Sequence, residues 1–368
     1  MSLSVGIVGL PNVGKSTLFN ALLKKQAAYV ANFPFATIEP NVGIVPVPDS
    51  RLDGLARVIK ESERMAELPP KVPATVEFLD IAGLIAGAHK GEGLGNKFLA
   101  HIRETSVVCH VLRVFTDPEI IREGSSNPQS DFETVETELK LADLQTLEKQ
   151  AEPKGTTSKD ELARWRTVSK LKEALQKGIP AREVKLDEEE QKSARSLSLL
   201  TAKPILVALN VDETDLKQGG ELEERYSQEL GVDRNQVVTI CAKTEAELAE
   251  LSLEEQKAYL QELGVGEFGL EKLIQRAYAT LGLINFLTAG VKEVRAWTIQ
   301  NGISAQQAAG VIHSDFEKNF IKADVVNFEI FVEVGGWQAA REQGKVRSEG
   351  KEYFIQDGEV VEFKIGAA

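Results

Sequence analysis

Apolar residues along this chain fall into short continuous runs, split by glycine-rich turns, and then give way to long helical stripes. Val5-Gly6-Ile7-Val8 is such a run, the pattern of a strand covered on both faces. A turn and a helical stretch, Leu18-Phe19-Asn20-Ala21-Leu22-Leu23, follow it. Further strand-like runs occur at Val76-Glu77-Phe78-Leu79-Asp80, Val107–Phe115, Pro204–Leu209 and Val237–Cys241. From about Asp131 to Leu200 the period changes: Phe132, Val135, Leu139 and Ala142 step by three and four, as do Leu162, Trp165, Val168, Leu171 and Leu175. This predicts two long amphipathic helices, arranged as an antiparallel coiled coil, with a turn at Glu152–Thr157. After about residue 281 short strands return at Val294–Ile299, Val325–Phe328, Tyr353–Ile355 and Val360–Phe363. Gly335-Gly336 and Asp357-Gly358 punctuate them as turns, and Ser304-Ala305-Gln306-Gln307 reads as a capping box opening a helix. The expected architecture is α/β, a doubly wound domain built from residues 1–130 and 201–280. A helical coiled-coil arm, 131–200, is inserted in it, and a β-grasp domain, 281–368, follows.

Composition narrows the class. The 368 residues carry a formal charge of −13 and a pI near 5.1, which argues against bulk electrostatic binding of nucleic acid but not against a local basic face. The two cysteines, Cys109 and Cys241, lie in apolar stretches and read as buried thiols without a disulfide partner. The first strand begins too early to leave room for a signal peptide, and no apolar run approaches the roughly 20 residues that span a bilayer. A cytoplasmic protein is the expectation.

The turn after the first strand carries the chemistry. Gly9-Leu10-Pro11-Asn12-Val13-Gly14-Lys15-Ser16-Thr17 has the G-x-x-x-x-G-K-[ST] spacing of a phosphate-binding loop, between strand and helix as that motif requires. Its glycines let successive backbone N–H groups turn inward on an anion, and the helix adds the positive end of its dipole. Lys15 would reach the β- and γ-phosphates, and Ser16 would offer a hydroxyl to Mg²⁺. The chain is expected to bind a nucleoside triphosphate.

The remaining signals come in GTPase order. Thr37, in the loop Asn32-Phe33-Pro34-Phe35-Ala36-Thr37, is placed to be a switch threonine that contacts Mg²⁺. Asp80 ends an apolar strand and would hold Mg²⁺ indirectly, and Gly83 would give its N–H to the γ-phosphate. The glycine-rich stretch Ala88–Gly95 reads as a switch segment. Leu84 stands where many GTPases carry a water-orienting glutamine, so basal hydrolysis is expected to be slow. His110 is the candidate to take over that role, its alternative being a core histidine in a strand; His89 and His101 are weaker candidates.

Base recognition departs from the guanine pattern. The Asn-Lys-x-Asp of GTP-binding domains is here Asn210-Val211-Asp212-Glu213: Val211 replaces the lysine, and Glu213, one methylene longer, replaces the aspartate. Adenine would give its N6–H to the Asn210 side chain or to a backbone carbonyl near Val211. The run ending Cys241-Ala242-Lys243 has the shape of the last base-contacting loop, with Cys241 where serine is common. ATP is therefore favoured over GTP.

These motifs together resemble the Obg-like ATPases of the translation-factor GTPase class, in the YchF subfamily. Gly9–Thr17, Asn32–Asn41, Asp80–Leu84, Gly91–Asn96 and Asn210–Glu213 carry the resemblance, which extends over nearly the whole chain. It implies an ATP-preferring enzyme with a hydrophobic residue for the catalytic glutamine, as Leu84 is, and a catalytic histidine in the stretch that contains His110. It further implies association with ribosomes, a role in translation or stress response, a protruding helical arm, and a C-terminal domain similar to TGS domains with possible RNA contact. In related potassium-activated GTPases the residue at the place of Asn12 holds K⁺, so K⁺ activation is an expectation. A conventional GTPase switch and a non-enzymatic, nucleotide-stabilised ribosome-binding module are the competing readings.

Overall fold

The computed structural model describes residues 4–32, 41–81, 94–117, 127–153 and 158–366. In chain order the elements begin β1 (Ser4–Val8), α1 (Lys15–Asn32), β2 (Val42–Pro46), α2 (Arg51–Ser62), β3 (Lys71–Val72), β4 (Thr75–Asp80), α3 (Leu94–Glu104) and β5 (Val107–Arg113). They continue with α4 (Pro128–Glu148), α5 (Lys159–Gln176), α6 (Glu188–Arg195), β6 (Ile205–Asn210), α7 (Gly219–Leu230), β7 (Val237–Ile240), α8 (Ala242–Leu248), α9 (Leu253–Leu263) and α10 (Gly269–Thr280). The last stretch holds β8 (Leu283–Ala289), β9 (Val294–Gln300), α11 (Ala305–Ile312), α12 (Ser314–Lys318), β10 (Phe320–Asn327), α13 (Phe328–Val334), α14 (Trp337–Glu342), β11 (Arg347–Glu349) and β12 (Glu359–Ile365).

Two compact units result, Met1–Val45 with Val76–Thr280, and Pro46–Thr75 with Leu281–Ala368. In the first, the strand order is β2-β4-β1-β5-β6-β7, and β1 pairs in parallel with β4 on one side and β5 on the other. Strands β1, β5 and β6 are buried at every position, which is why they read as unbroken apolar runs. The chain reverses its direction of travel across the sheet at β1. That leaves a crevice at the carboxyl ends of β1, β5 and β6, where ligands bind in doubly wound sheets.

The insert contains the two expected helices and a third, short one. Phe132, Val135, Leu139 and Ala142 of α4 are all buried, and the first half of α4 packs on β5. Its far end joins α5 and α6 around Leu147, Val168, Leu171, Leu175 and Leu197. Leu162, counted into the buried stripe, is 44% exposed. The root is fastened by Asp143, fully buried, whose carboxylate accepts the Leu200 and Thr201 backbone N–H groups at 2.8 Å and the Thr201 hydroxyl at 2.7 Å.

The second unit is a sheet of order β11-β10-β12-β8-β9-β3. Counting β8 as its first strand, the order is 4-3-5-1-2, with β12 running parallel to β8, as in a β-grasp. The Ser304 cap of α11 is a capping box with Gln307, as expected. Three expectations change here. Tyr353–Ile355 is a single bridge from Phe354 to Ser304, and the edge strand is β11 instead. Gly335-Gly336 separates two helices, not two strands. And residues 46–75, assigned with 1–130, belong to this unit, because β3 extends its sheet beside β9 and Arg51 bonds Asp357 at 2.8 Å. Among the described residues no helix is long and apolar enough to cross a membrane, and both cysteines are buried and free.

Candidate functional site

The turn that follows β1 leaves the sheet through backbone conformations that only some residues tolerate. Gly14 has φ +99°, and a Cβ there would lie 2.1 Å from Asn210 Nδ2; Asn12 also sits at positive φ, 61°. Gly9 approaches so closely that its Cβ would meet the Val111 carbonyl oxygen at 2.6 Å. The motif glycines are therefore required by contacts with β5 and with the residue that ends β6. From this turn α1 starts at Lys15, so the helix amino terminus faces the cleft.

A cleft of about 800 Å³ opens there. Asn12, Gly14, Lys15, Ser16 and Thr17 line one end; Asn210, Val211, Glu213, Cys241 and Ala242 line the other. Those are ten of the eleven expected nucleotide-contacting residues, brought together from three separate strand ends. Val13 is buried, and its carbonyl is held in the loop.

At the phosphate end Lys15 is buried and donates to the Leu10 carbonyl at 2.6 Å. Burial lowers its pKa to about 8, against the opposing attraction of the Asp80 carboxylate. Burial likewise raises Asp80, with the Lys15 charge pulling it back. A bound polyphosphate would favour the charged form of the Lys15 side chain. Ser16 is exposed in the cleft at the start of α1, and Asp80 is half-buried at the end of β4. One hydroxyl and one carboxylate suit Mg²⁺, which keeps waters and phosphate oxygens as its other ligands. Thr37, Gly83, Leu84, His89 and the segment 88–93 lie outside the described residues.

The base end is a hydrogen-bonded frame. The Asn210 amide is committed at both ends: Nδ2 donates to the Val13 carbonyl at 2.9 Å, and Oδ1 accepts the Ala242 N–H at 3.0 Å. Asn210 thus joins the phosphate loop to the β7–α8 turn while lining the cleft. Val211 is 1% exposed and closes the cleft with an apolar wall. Asp212 accepts the Thr116 N–H at 3.0 Å and its hydroxyl at 2.9 Å. Glu213 accepts from Thr244 and Tyr259, and Thr244 Oγ1 also lies 3.2 Å from Cys241 Sγ. Sequence reasoning missed Phe115, Thr214 and Thr244, which also line the cleft, and Tyr259, which reaches it through Glu213. Phe115 could have been suspected, since it closes the recognised run Val107–Phe115 just beyond the end of β5.

His110 is not brought to the cleft, which corrects the expectation of a water-orienting role for it here. Its ring is fully buried on β5, beneath α4, tilted against Phe132 at 4.9 Å between centroids. Nε2 lies 3.2 Å from Glu136 Oε1, and the other Glu136 oxygen takes Arg182 at 2.5 Å. Burial would raise Glu136, but His110 and Arg182 outweigh it and hold the carboxyl at about 2. His101 is exposed on α3, and His313 caps α12 through Nδ1.

Two family models match the chain. Residues 4–153 match one described as "50S ribosome-binding GTPase", and residues 283–366 match the YchF GTPase C-terminal domain, described as a "protein of unknown function". The "Ribosome-binding ATPase YchF" of Bacillus subtilis (strain 168) is 47% identical over 371 residues, with 99% of each chain covered. The protein of the same name from Escherichia coli O157:H7 is 47% identical over 369 residues, again at 99% of each. Among solved structures, the Schizosaccharomyces pombe YchF GTPase superposes with a TM-score of 0.85 at 35% identity, covering 99% of this chain and 98% of that one.

Proposed function

Because this chain belongs to the YchF family of P-loop nucleoside-triphosphatases, we propose that it binds ATP in this cleft, hydrolyses it slowly, and works in association with the ribosome. The bacterial relatives are named as ribosome-binding ATPases, while the fission yeast structure is titled a GTPase, so the base end has to decide the nucleotide. The observation that carries ATP is the wall at Val211. Where a guanine site places a lysine stem and an aspartate, this cleft has a buried valine and a carboxylate already bonded to neighbouring hydroxyls. Guanine N1–H and N2–H₂ would enter without acceptors, the kind of mismatch that costs orders of magnitude in discrimination. Adenine needs only a carbonyl for N6–H, and backbone around Val211 supplies that.

At the phosphate end, Lys15 leaves the Leu10 carbonyl and turns its ammonium to the β- and γ-phosphates. Backbone N–H groups of 13–17 cradle the polyphosphate, and Gly83 is proposed to add its N–H at the γ-phosphate. Ser16, Asp80 and Thr37 are the residues that would hold Mg²⁺, which when bound neutralises charge on the phosphate oxygens. Water attacks in line, and turnover is slow because Leu84 cannot orient it. A cytoplasmic location and an RNA contact within the ribosome are parts of the same proposal.

Calorimetric titration of nucleotide-free protein with ATP and GTP, each with Mg²⁺, tests it. Tighter ATP is expected; tighter GTP would return the protein to the GTPases. Co-sedimentation with purified ribosomes tests the partner, and absence of the chain from the ribosomal pellet in every nucleotide state would remove it.

A further inference from the structure

Glu213 stands where guanine-binding domains place their aspartate, yet both of its oxygens are engaged from the side. Tyr259, on α9, places its hydroxyl 3.2 Å from Oε1 and 3.3 Å from Oε2. Thr244, on α8, donates to Oε2 at 3.0 Å. The same Thr244 hydroxyl lies 3.2 Å from the Cys241 sulfur, so the contacts reach the loop that lines the cleft. Helix α9 is well fixed for this task. Ser252 and Glu255 form a capping box at its start, and Gly264 ends it at φ 65°. Gln256 of α9 also donates to the Leu248 and Leu251 carbonyls, at 2.9 and 3.0 Å, which ties the helix to the end of α8.

We propose that Tyr259 is a specificity-determining positioning residue: by pinning the Glu213 carboxylate to α9, it keeps that group from turning onto the base and so sets the preference for adenine over guanine. The reading rests on ATP being the nucleotide of this cleft. The extra methylene of Glu213 relative to aspartate gives the reach to Tyr259. To present both oxygens to guanine N1–H and N2–H₂, the carboxylate would have to leave two hydroxyl donors. Bonds to an ionised acceptor are among the stronger ones, so that rotation is costly. A carboxylate freed to face the base would also repel the N1 lone pair of adenine. Releasing Glu213 therefore raises GTP affinity and lowers ATP affinity together.

The test is calorimetry on the full chain with ATP and GTP, each with Mg²⁺, for wild type, Tyr259→Phe, and Tyr259→Phe combined with Glu213→Gln. Tyr259→Phe is expected to cut the ATP-to-GTP affinity ratio about tenfold, the worth of one hydrogen bond to a charged group. The double variant is expected to restore much of the ratio, because a neutral amide cannot accept both guanine donors. A merely structural role for Tyr259 would weaken both nucleotides equally and leave the ratio unchanged, and that result overturns the inference. A wild-type protein that prefers GTP would instead overturn the ATP reading beneath it. If Tyr259→Phe folds poorly, Thr244→Ser serves as the companion: it keeps the hydroxyl and is expected to keep the ratio, and a tenfold drop in that variant would refute the assignment.

Discussion

The two ends of the cleft are built on different principles. The phosphate end is nearly all local: nine consecutive residues, a backbone forced into positive φ at Asn12 and Gly14, and one lysine folded onto its own loop. The base end is assembled from segments far apart in sequence, with Asn210 reaching Val13 and Ala242, and Glu213 reaching Thr244 and Tyr259. Polyphosphate is recognised by charge and by many equivalent N–H groups, so a single turn suffices. A base edge has few donors and acceptors, each directional. Recognising it takes side chains whose own rotation is blocked, and blocking needs neighbours from other elements.

That contrast can be broken at its strongest point first. Lys15→Ala removes the only side-chain cation at the phosphate end among the described lining residues, and ATP turnover should fall more than about 100-fold. Unchanged turnover in a steady-state ATPase assay would move the site elsewhere. Asn210→Ala strikes the join between the two ends. It leaves the Val13 carbonyl and the Ala242 N–H without their partner, so ATP and GTP affinity should both drop about tenfold, with a loss of about 2 kcal/mol in urea unfolding. An effect on only one nucleotide would mean that Asn210 reads the base after all.

The smallest effect is a pH dependence confined to the phosphate end. Lys15 has its folded pKa lowered to about 8 in the free protein, and bound polyphosphate would favour its charged form. Binding then takes up a proton above pH 8, so affinity is full below that pH and declines above it, about fivefold between pH 8 and pH 9. The same depression means that folding stability is lower below pH 8 than the unfolded lysine would give, and rises as pH climbs from 8 toward 10.5. Titrations in two buffers of different ionisation enthalpy would detect the proton, and an affinity flat across this range would contradict the assignment.

His110 shows where sequence logic overreached. The stretch Val107–Phe115 revealed a strand, and a histidine near the end of a strand beside the phosphate loop is a reasonable candidate for chemistry. What the linear chain could not display is that α4 lies over that face of the sheet and supplies Glu136, with Arg182 arriving from the insert. The same limitation explains residues 46–75. Nothing within that segment marks it as part of the C-terminal sheet; only the pairing of β3 with β9, more than 220 positions later in the chain, does so.

The sequence by itself determined the strand–turn–helix of the phosphate-loop motif, the doubly wound class of the first unit, the helical insert and the β-grasp, because each depends on periodicity and spacing over a few residues; the strand order itself came from the structure. It also determined that a guanine clamp of Asn-Lys-x-Asp is absent. Tertiary structure alone decided which side chains are free to act: that Asn210 is a strut, that Glu213 is held by Tyr259, and that His110 is sealed under α4. Freedom to act depends on what surrounds a group in three dimensions, and burial and partners are set by contacts between elements that the local pattern does not encode.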